Sequence, residues 1–266
     1  MSCKFVETEV VNNIATMVLA RTESLNALNE DFATEITETA RDLGNRDDVW
    51  VIVLISNARI FCAGLDLKNT GSDEEKTTKY HLQYTRKHHY MLDCCNIFEE
   101  ISKPVIAAVH GKCIGGGLDM IAACDIRLCS EDATFALRQA RIGLVGDLGT
   151  LQRLPLVIGQ GFTREMAYTA RYYSAEEARL MGLVNRVFPD KQALMEGATN
   201  LAQEITKNAP LAVQQSKEVL NYSRYVPVEE GMTMGLHKNY LLFSSNDMQE
   251  AVKAVIEKRT PQFKGE

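Results

Sequence analysis

The stretch "PVIAAVHGKCIGGGLDM", residues 104–120, decides the fold that the rest of the chain must fit. Its opening run, "PVIAAVH", is apolar and partly β-branched, a pattern typical of a strand that is buried on both faces. Gly115, Gly116 and Gly117 follow in a row, and "LDMIAAC" after them is typical of the start of a helix. A second strand-like run, "CDIRLCS", occupies residues 124–130. The stretch therefore predicts a strand, a glycine turn, a helix and a further strand.

The three consecutive glycines need a reason, because glycine loses more backbone entropy on folding than any other residue. A phosphate-binding loop is excluded, since no Lys-Ser or Lys-Thr pair follows the glycines and their spacing is not G-x-G-x-x-G. The N-terminus of a helix still presents unpaired N–H groups and a partial positive charge. The glycines therefore serve either a ligand that approaches those N–H groups or close packing of the strand against the helix. Both explanations stay open at this point.

A second glycine turn has the same setting. The stretch "FCAGLDLKN", residues 61–69, also comes after an apolar strand, and it turns at Gly64. Two such turns at strand ends can direct their exposed N–H groups at one oxygen atom. That is the geometry of an oxyanion hole, in which backbone donors stabilise the negative charge that develops on a carbonyl oxygen.

Before this turn, local signals predict a hairpin, a helix and a buried strand. Two short β-rich runs within residues 4–20 flank the turn residues "VNN" and predict the hairpin. Residues 29–44 place apolar side chains on one face of a helix that Asn29 caps and Gly44 ends. Residues 49–56, "VWVIVLIS", are continuously apolar, which predicts a strand buried on both faces.

Two further signals follow the turn at Gly64. Residues 67–80 are polar and predict a loop, which leads into a helix ending near Ile101. Ser174 and Glu177 have the spacing of a capping box, and Gly182 is placed to end the helix that they begin.

The pattern of elements changes near residue 190. Residues 1–190 alternate strands and helices, which predicts an α/β core. Residues 191–266 are helical throughout, with breaks near Pro210 and Pro227. The chain is therefore predicted to consist of an α/β core followed by a helical C-terminal region.

Composition excludes several classes of function. The chain has 266 residues, enough for a sizeable core, and a formal net charge of −6, which argues against binding to nucleic acid. No apolar run reaches the roughly 18 residues that a membrane-spanning helix needs, so no membrane partner is expected. The seven cysteines include no C-x-x-C pair, which favours reduced and buried thiols in an intracellular compartment.

The sequence shows neither a metal site nor a targeting signal. His88 and His89 are adjacent on a predicted helix and lack a third ligand at a suitable spacing, so no metal is expected. The N-terminal "MSCKFVETEV" has the pattern of neither a signal peptide nor an Arg-rich transit peptide, and the C-terminal "FKGE" is not a peroxisomal tripeptide. The mitochondrial matrix, the peroxisomal matrix and the cytoplasm all stay open as locations.

Four stretches of the chain resemble the enoyl-CoA hydratase/isomerase, or crotonase, superfamily. They are "FCAGLDLK", "KPVIAAVHGKCIGGGLDMIAACDIRLC", "FALRQARIGLVGDLGTLQRLP" and "GLVNRVFPD". The resemblance runs over nearly the whole chain. Within the superfamily, "HGKCIGGGLD" and "GDLGTLQRLP" are most similar to the 3,5-dienoyl-CoA to 2,4-dienoyl-CoA isomerases.

This resemblance implies a spiral of ββα units in residues 1–190 and a helical trimerisation region in residues 191–266, with trimers pairing into a homo-hexamer. It implies an acyl-CoA thioester as the substrate and no cofactor. The N–H groups of Leu65 and Gly116 would hold the thioester oxygen, and Lys68 would lie near the CoA phosphates. The resemblance also assigns to the substrate-binding site Ala63, Gly64 and Gly115.

The residues that carry the chemistry differ from the superfamily's pattern at one position. In the resembling hydratases two glutamates act on a water molecule, and their positions are Asp119 and Gln139 here. Glutamine has no proton to give and no useful basicity, which argues against hydration. In the resembling dienoyl-CoA isomerases three acids line the pocket, and their positions are Asp119, Gln139 and Asp147. Gln139 replaces the glutamate that would help to move a proton between the alpha and epsilon carbons.

Three functions therefore stay open. The resemblance implies an isomerase of fatty-acid β-oxidation that converts 3,5-dienoyl-CoA to 2,4-dienoyl-CoA through a stabilised dienolate, with Asp147, Asp119 and Gln139 as catalytic residues. A shift of one double bond from 3-enoyl-CoA to 2-enoyl-CoA needs only one base, and Asp147 can serve. The third is a homologue that binds acyl-CoA with little turnover because of Gln139. Purely structural roles also stay open, since Asp147 can cap the segment "LGTLQRLP" and Asp119 can be favoured by a helix dipole alone.

Overall fold

The computed structural model describes residues 4–67 and 89–266, and two β-sheets organise this part of the chain. In chain order the strands are β1 (Val6–Val11), β2 (Ile14–Leu19), β3 (Val51–Ser56), β4 (Val105–Val109), β5 (Lys112–Ile114), β6 (Ile126–Ser130), β7 (Thr134–Ala136), β8 (Tyr173–Ser174) and β9 (Arg186–Phe188). The larger sheet has the order β1-β2-β3-β4-β6-β9, and the smaller one has the order β5-β7-β8. In the larger sheet β1 and β2 form the predicted antiparallel hairpin, and every later neighbour is parallel.

The helices alternate with these strands and then continue alone to the C-terminus, as predicted. In chain order they are α1 (Glu30–Asn45), α2 (His89–Glu100), α3 (Gly116–Ala122), α4 (Thr150–Val157), α5 (Gly159–Thr169), α6 (Ala175–Met181), α7 (Lys191–Thr206), α8 (Pro210–Ser223), α9 (Val228–Leu242) and α10 (Asn246–Glu257). The α/β class that the sequence predicts is therefore confirmed. None of these helices is long and apolar enough to cross a membrane.

The larger sheet is covered by helices on both faces, which explains the unbroken apolar run of β3. Ile52 and Leu54 belong to a buried cluster that includes Phe32 of α1. The alternate residue Val53 belongs to a second cluster, with Leu194 of α7, on the opposite face. Because successive side chains of a strand point to opposite faces, both sets need apolar residues. The first helix of the C-terminal region thus packs on the α/β core.

Most helix ends lie where local sequence signals predict them. The Asn29 side chain accepts a hydrogen bond from Phe32 N at 3.1 Å, which confirms the cap of α1. Gly44, however, does not end this helix, which continues to Asn45. A Cβ at Gly44 would lie 2.7 Å from Ile101 Cγ2, so the glycine lets α1 approach the end of α2 closely.

The predicted starts and ends of the later helices are also confirmed. Ser174 and Glu177 form a complete capping box at α6, and Gly182 ends the helix in the left-handed conformation with φ 82°. Helix α8 begins at Pro210, and Pro227 stands directly before α9. A further break between α9 and α10 was not predicted. The predicted loop at residues 67–80 lies outside the described residues except for Leu67.

Candidate active site

The first glycine turn lies directly against the second. The loop after β3 pairs with β5, because Cys62 N donates to Lys112 O at 3.1 Å and Ile114 N donates to Cys62 O at 3.0 Å. Gly64 has φ 87°, and a Cβ there would lie 2.8 Å from Ile114 O and 3.6 Å from Gly116 N. Glycine is thus required at position 64 both by its backbone conformation and by the close approach of the second turn.

Each of the three consecutive glycines has its own structural reason. Gly115 adopts φ 50° and ψ −114°, a conformation that residues with side chains rarely adopt. A Cβ at Gly116 would lie 2.7 Å from Leu28 Cδ1, and a Cβ at Gly117 would lie 2.7 Å from Cys62 Cβ. Close packing, one of the two explanations that the sequence left open, is therefore present, and it is what brings the two turns together.

This packing leaves two backbone donors without partners among the described residues. Leu28 N donates to Gly64 O at 2.7 Å, and Asp66 N donates to Leu28 O at 2.9 Å. Since N–H groups alternate in direction along paired extended chains, Leu65 N points away from Leu28. Gly116 N belongs to the first residue of α3, where no intrahelical acceptor exists. Within residues 4–67 and 89–266, neither Leu65 N nor Gly116 N forms a hydrogen bond.

Asp119 is buried behind the second turn and is fully hydrogen-bonded. It lies in the first turn of α3 with no exposed surface. Its Oδ2 accepts a hydrogen bond from Gln139 Nε2 at 3.2 Å, and its Oδ1 accepts from Thr150 N at 3.0 Å and from Thr150 Oγ1. Burial raises the pKa of this carboxyl to about 7, although the Thr150 N–H opposes the shift, and the charge of Asp147 adds to it.

Gln139 stands between Asp119 and the glycine turn. It begins the short 3-10 helix Gln139–Ile142 that follows β7. Its amide atoms Nε2 and Oε1 lie 3.8 and 3.9 Å from the position that a Cβ of Gly115 would take. Oε1 is buried and has no hydrogen-bond partner in the described part of the chain. The amide therefore offers one unsatisfied acceptor beside the glycine turn and no ionisable group.

Asp147 is the exposed carboxylate of the three candidate positions. It lies in the loop before α4, and Gly149, with φ 105°, is the N-cap residue of that helix. The first N–H group of α4, that of Thr150, is capped by Asp119 and not by Asp147. The possible capping role of Asp147 is therefore wrong, and its carboxylate forms no ion pair or hydrogen bond with residues 4–67 or 89–266.

Of the remaining candidate substrate-binding residues, the structure describes Ala63 but not Lys68. Ala63 is half-buried, and its N–H donates to Leu25 O at 3.0 Å, so the loop before Gly64 is fixed on both sides. Lys68, the residue expected near the CoA phosphates, lies outside the described residues. Of the residues that could hold a metal ion, no group of three or more is present in the described ranges.

Sequence reasoning missed three residues that shape this site. Leu28 and Cys62 contact the glycine turns, and Thr150 binds Asp119. Only Thr150 lies near a candidate residue in the sequence, within the segment "LGTLQRLP" that follows Asp147. The contacts of Leu28 and Cys62 depend on packing between segments that are distant in the sequence.

The thiols among the described residues do not supply a nucleophile. The six cysteines that the structure describes are free and buried, as predicted. Burial raises the pKa of Cys62, Cys124 and Cys129 to about 12. Only the thiolate is a good nucleophile, so these side chains are unreactive near neutral pH.

Comparison with known proteins agrees with this geometry. The model of the family described as Enoyl-CoA hydratase/isomerase matches residues 9–266. The peroxisomal Delta(3,5)-Delta(2,4)-dienoyl-CoA isomerase of Arabidopsis thaliana is 41% identical over 261 residues, which covers 95% of this chain and 93% of that protein. The mitochondrial Delta(3,5)-Delta(2,4)-dienoyl-CoA isomerase of Homo sapiens is 38% identical over 260 residues, covering 95% of this chain and 79% of that protein.

Solved structures give the same result for the fold. The crystal structure of enoyl-CoA hydratase from Bacillus anthracis superposes with a TM-score of 0.91 at 30% sequence identity, covering 99% of this chain and 100% of that one. The family match extends through the glycine turns, the three candidate positions and the C-terminal helices. This chain therefore belongs to the enoyl-CoA hydratase/isomerase family.

Proposed function

We propose that this chain is a dienoyl-CoA isomerase that converts 3,5-dienoyl-CoA to 2,4-dienoyl-CoA in fatty-acid β-oxidation. The observation that carries the proposal is the close approach of Gly64 and Gly116, which leaves the N–H groups of Leu65 and Gly116 without partners in the described part of the chain. Relatives that share about 40% of their residues with this chain bear the name of that activity.

In the first step the thioester oxygen accepts hydrogen bonds from Leu65 N and Gly116 N. These donors stabilise the negative charge that reaches the oxygen, and so acidify the alpha carbon. Asp147, the exposed carboxylate, takes the proton from that carbon. The electrons of the broken C–H bond form the 2,3 double bond, and the former 3,4 pair moves to the 4,5 position. The 5,6 pair then takes a proton at the epsilon carbon.

The second proton transfer is the difficult one in this chain. Gln139 has no proton to give. Asp119 has no exposed surface, and its two oxygens accept hydrogen bonds from Gln139 and Thr150. The proton must therefore reach the epsilon carbon from Asp147 or from water, and this step is expected to limit the rate.

A second candidate reaction is the conversion of 3-enoyl-CoA to 2-enoyl-CoA. The observation in its favour is that Asp147 is the one exposed carboxylate of the three positions, and a 1,3-shift needs a single base on one face. Exposed apolar side chains at Ile142, Leu144 and Val145 precede Asp147 and suit either acyl chain.

The same proposal includes a homo-hexamer built from two trimers through residues 191–266. In its support, the C-terminal helices α9 and α10 expose many large apolar side chains: Met232, Leu236, Tyr240, Val252, Val255 and Ile256. Apolar surfaces of this kind mark interaction sites. We place the enzyme in the mitochondrial or peroxisomal matrix because relatives are named as mitochondrial or peroxisomal.

The oxyanion role is tested by a matched pair of substitutions at one position. Gly116→Pro removes the N–H group, and proline is tolerated at the first residue of a helix. Gly116→Ala adds a Cβ against the same Leu28 side chain but keeps the N–H. Loss of one oxyanion donor lowers kcat by about 10²–10³-fold, so the proline variant should fall that far below the alanine variant. Equal turnover by the two folded variants would reject the assignment.

A further inference from the structure

A hydrogen-bonded link joins Asp119 to the loop that carries Asp147. Thr150 donates to Asp119 Oδ1 through both its backbone N, at 3.0 Å, and its Oγ1. Both residues are fully buried. Thr150 is the first residue of α4, and Asp147 lies three residues before it. The Asp119 carboxylate therefore fixes the point at which the loop enters the helix.

The position of Asp147 depends on contacts made by its neighbours in the loop, because its own side chain forms none with the described residues. Its side chain is exposed and forms no ion pair or hydrogen bond with the part of the chain that the structure describes. Gly143 and Gly149, which bound its loop, adopt left-handed backbone conformations with φ 74° and 105°. Leu148 packs against the core by apolar contact, and Thr150 supplies the polar anchor.

We propose that Thr150 is a positioning residue which, through the carboxylate of Asp119, holds Asp147 where it can take the proton from the substrate's alpha carbon. The inference rests on the proposed function, in which Asp147 is the base. It assigns Thr150 a part in the reaction without contact to the substrate. It also gives the buried Asp119 a role that does not require it to reach the substrate.

The protonation state of Asp119 should then govern the link. An ionised carboxylate accepts all three hydrogen bonds from Thr150 and Gln139, whereas a protonated one has a hydrogen on one oxygen and loses part of this capacity. Because burial raises the pKa of Asp119 to about 7, the link is complete above that pH and weakens below it.

The other ionisable groups near Asp119 come from four neighbouring segments. They are Asp147 before α4, Arg153 within α4, Cys62 after β3, Cys95 of α2 and Cys113 of β5. Burial contributes to raising the pKa of all three thiols, so they stay neutral. Arg153 forms an ion pair with Glu99, and its charge opposes the rise in the pKa of Asp119. The charge of Asp147 adds to the rise in the pKa of Asp119.

The test compares two substitutions at Thr150. Thr150→Val keeps the shape and the backbone N–H but removes Oγ1, whereas Thr150→Ser keeps the hydroxyl. The valine variant should lose about tenfold in kcat with little change in KM, the size expected for one hydrogen bond to a charged group. Its acidic limb in the kcat–pH profile should move to higher pH, because Asp119 loses a donor that stabilises its anion. The serine variant should have the parent's kcat and the parent's acidic limb, because it keeps the hydroxyl group.

Two results would overturn the proposal. One is a folded Thr150→Val enzyme with lowered thermal stability but the parent's kcat and acidic limb, as expected of a residue that only stabilises the fold. The other is a serine variant that behaves like valine. If the valine variant does not fold, Thr150→Ala gives the same readouts. The variant Asp147→Asn separates this inference from the proposed function. If Asp147→Asn is inactive and Thr150→Val behaves like the parent, only the positioning role of Thr150 is rejected. If Asp147→Asn is active, the role of Asp147 as the base is rejected.

Discussion

At the scale of single residues, Gln139 decides which proton transfers are available. Its amide donates to Asp119 Oδ2 at 3.2 Å, where a glutamate would place a second carboxylate beside a buried one. Two carboxylates at such a distance cannot both ionise, so the pair would hold one proton in common. The glutamine therefore replaces a proton-sharing acid pair with a fixed hydrogen bond.

This contrast gives a prediction for Gln139→Glu. The variant regains a proton donor for the epsilon carbon, so its rate on 3,5-dienoyl-CoA should rise by about tenfold or more. Its rate on 3-enoyl-CoA should hardly change, because the 1,3-shift uses Asp147 alone. Parallel kinetics on the two substrates measure the effect. Gln139→Met, which keeps the volume and adds no acid, serves as the control and should show no gain. A parent that is fast on the dienoyl substrate and slower after Gln139→Glu would show that the glutamine belongs to a working site.

The sequence located these residues better than it explained them. The resemblance to the dienoyl-CoA isomerases implied Asp119, Gln139 and Asp147 as one group, and the structure brings Asp119 and Gln139 into direct contact. The sequence did not predict that Asp119 caps α4, because that contact joins residues 31 positions apart. The family resemblance indicates which residues form the group, whereas their hydrogen-bond partners are set by packing.

At the scale of elements, caps made by neighbouring residues were predicted and caps made across the fold were not. The cap of α1 and the capping box of α6 lie within four residues of sequence, so their chemistry is visible in the chain. The break before α10 was missed although Ser245 accepts a hydrogen bond from Met248 N at 3.1 Å. The capping serine was visible in the sequence, but no proline accompanies it, whereas prolines marked the predicted breaks at Pro210 and Pro227.

The capping box of α6 gives a prediction about stability. Ser174 Oγ accepts from Glu177 N at 3.2 Å, and Glu177 Oε2 accepts from Ser174 N at 2.8 Å. Ser174→Ala should lower the free energy of unfolding by about 1 kcal/mol, because it leaves a helix N–H without its side-chain acceptor. Denaturant unfolding measures this change. Ser216→Ala, on the exposed face of α8, is the matched control and should change stability far less. Equal effects of the two substitutions would show that the capping box does not stabilise α6.

At the scale of the whole molecule, the exposed apolar side chains of α9 and α10 predict assembly. Leu236 and Tyr240 are 66% and 77% exposed in one chain, which is unfavourable for large apolar groups in water. The parent should therefore sediment as a homo-hexamer at micromolar concentration. Leu236→Glu should reduce the assembled fraction, because it buries a charge at the proposed contact. Gln160→Glu adds the same charge at an exposed polar position of α5, outside residues 191–266, and is the control. A parent that sediments as a monomer would reject the proposed hexamer.

In the proposed reaction, the N–H groups of the two glycine turns bind a 3,5-dienoyl thioester and Asp147 acts as the base that isomerises it. The most direct measurement offers 3,5-dienoyl-CoA, 3-enoyl-CoA and 2-enoyl-CoA in parallel to the parent enzyme and follows the absorbance of the conjugated product. We expect 2,4-dienoyl-CoA to form from the first substrate and 2-enoyl-CoA to form from the second, and we expect no hydration of the third. Rapid hydration of 2-enoyl-CoA, with no turnover of the 3,5-dienoyl substrate, would contradict the proposed reaction.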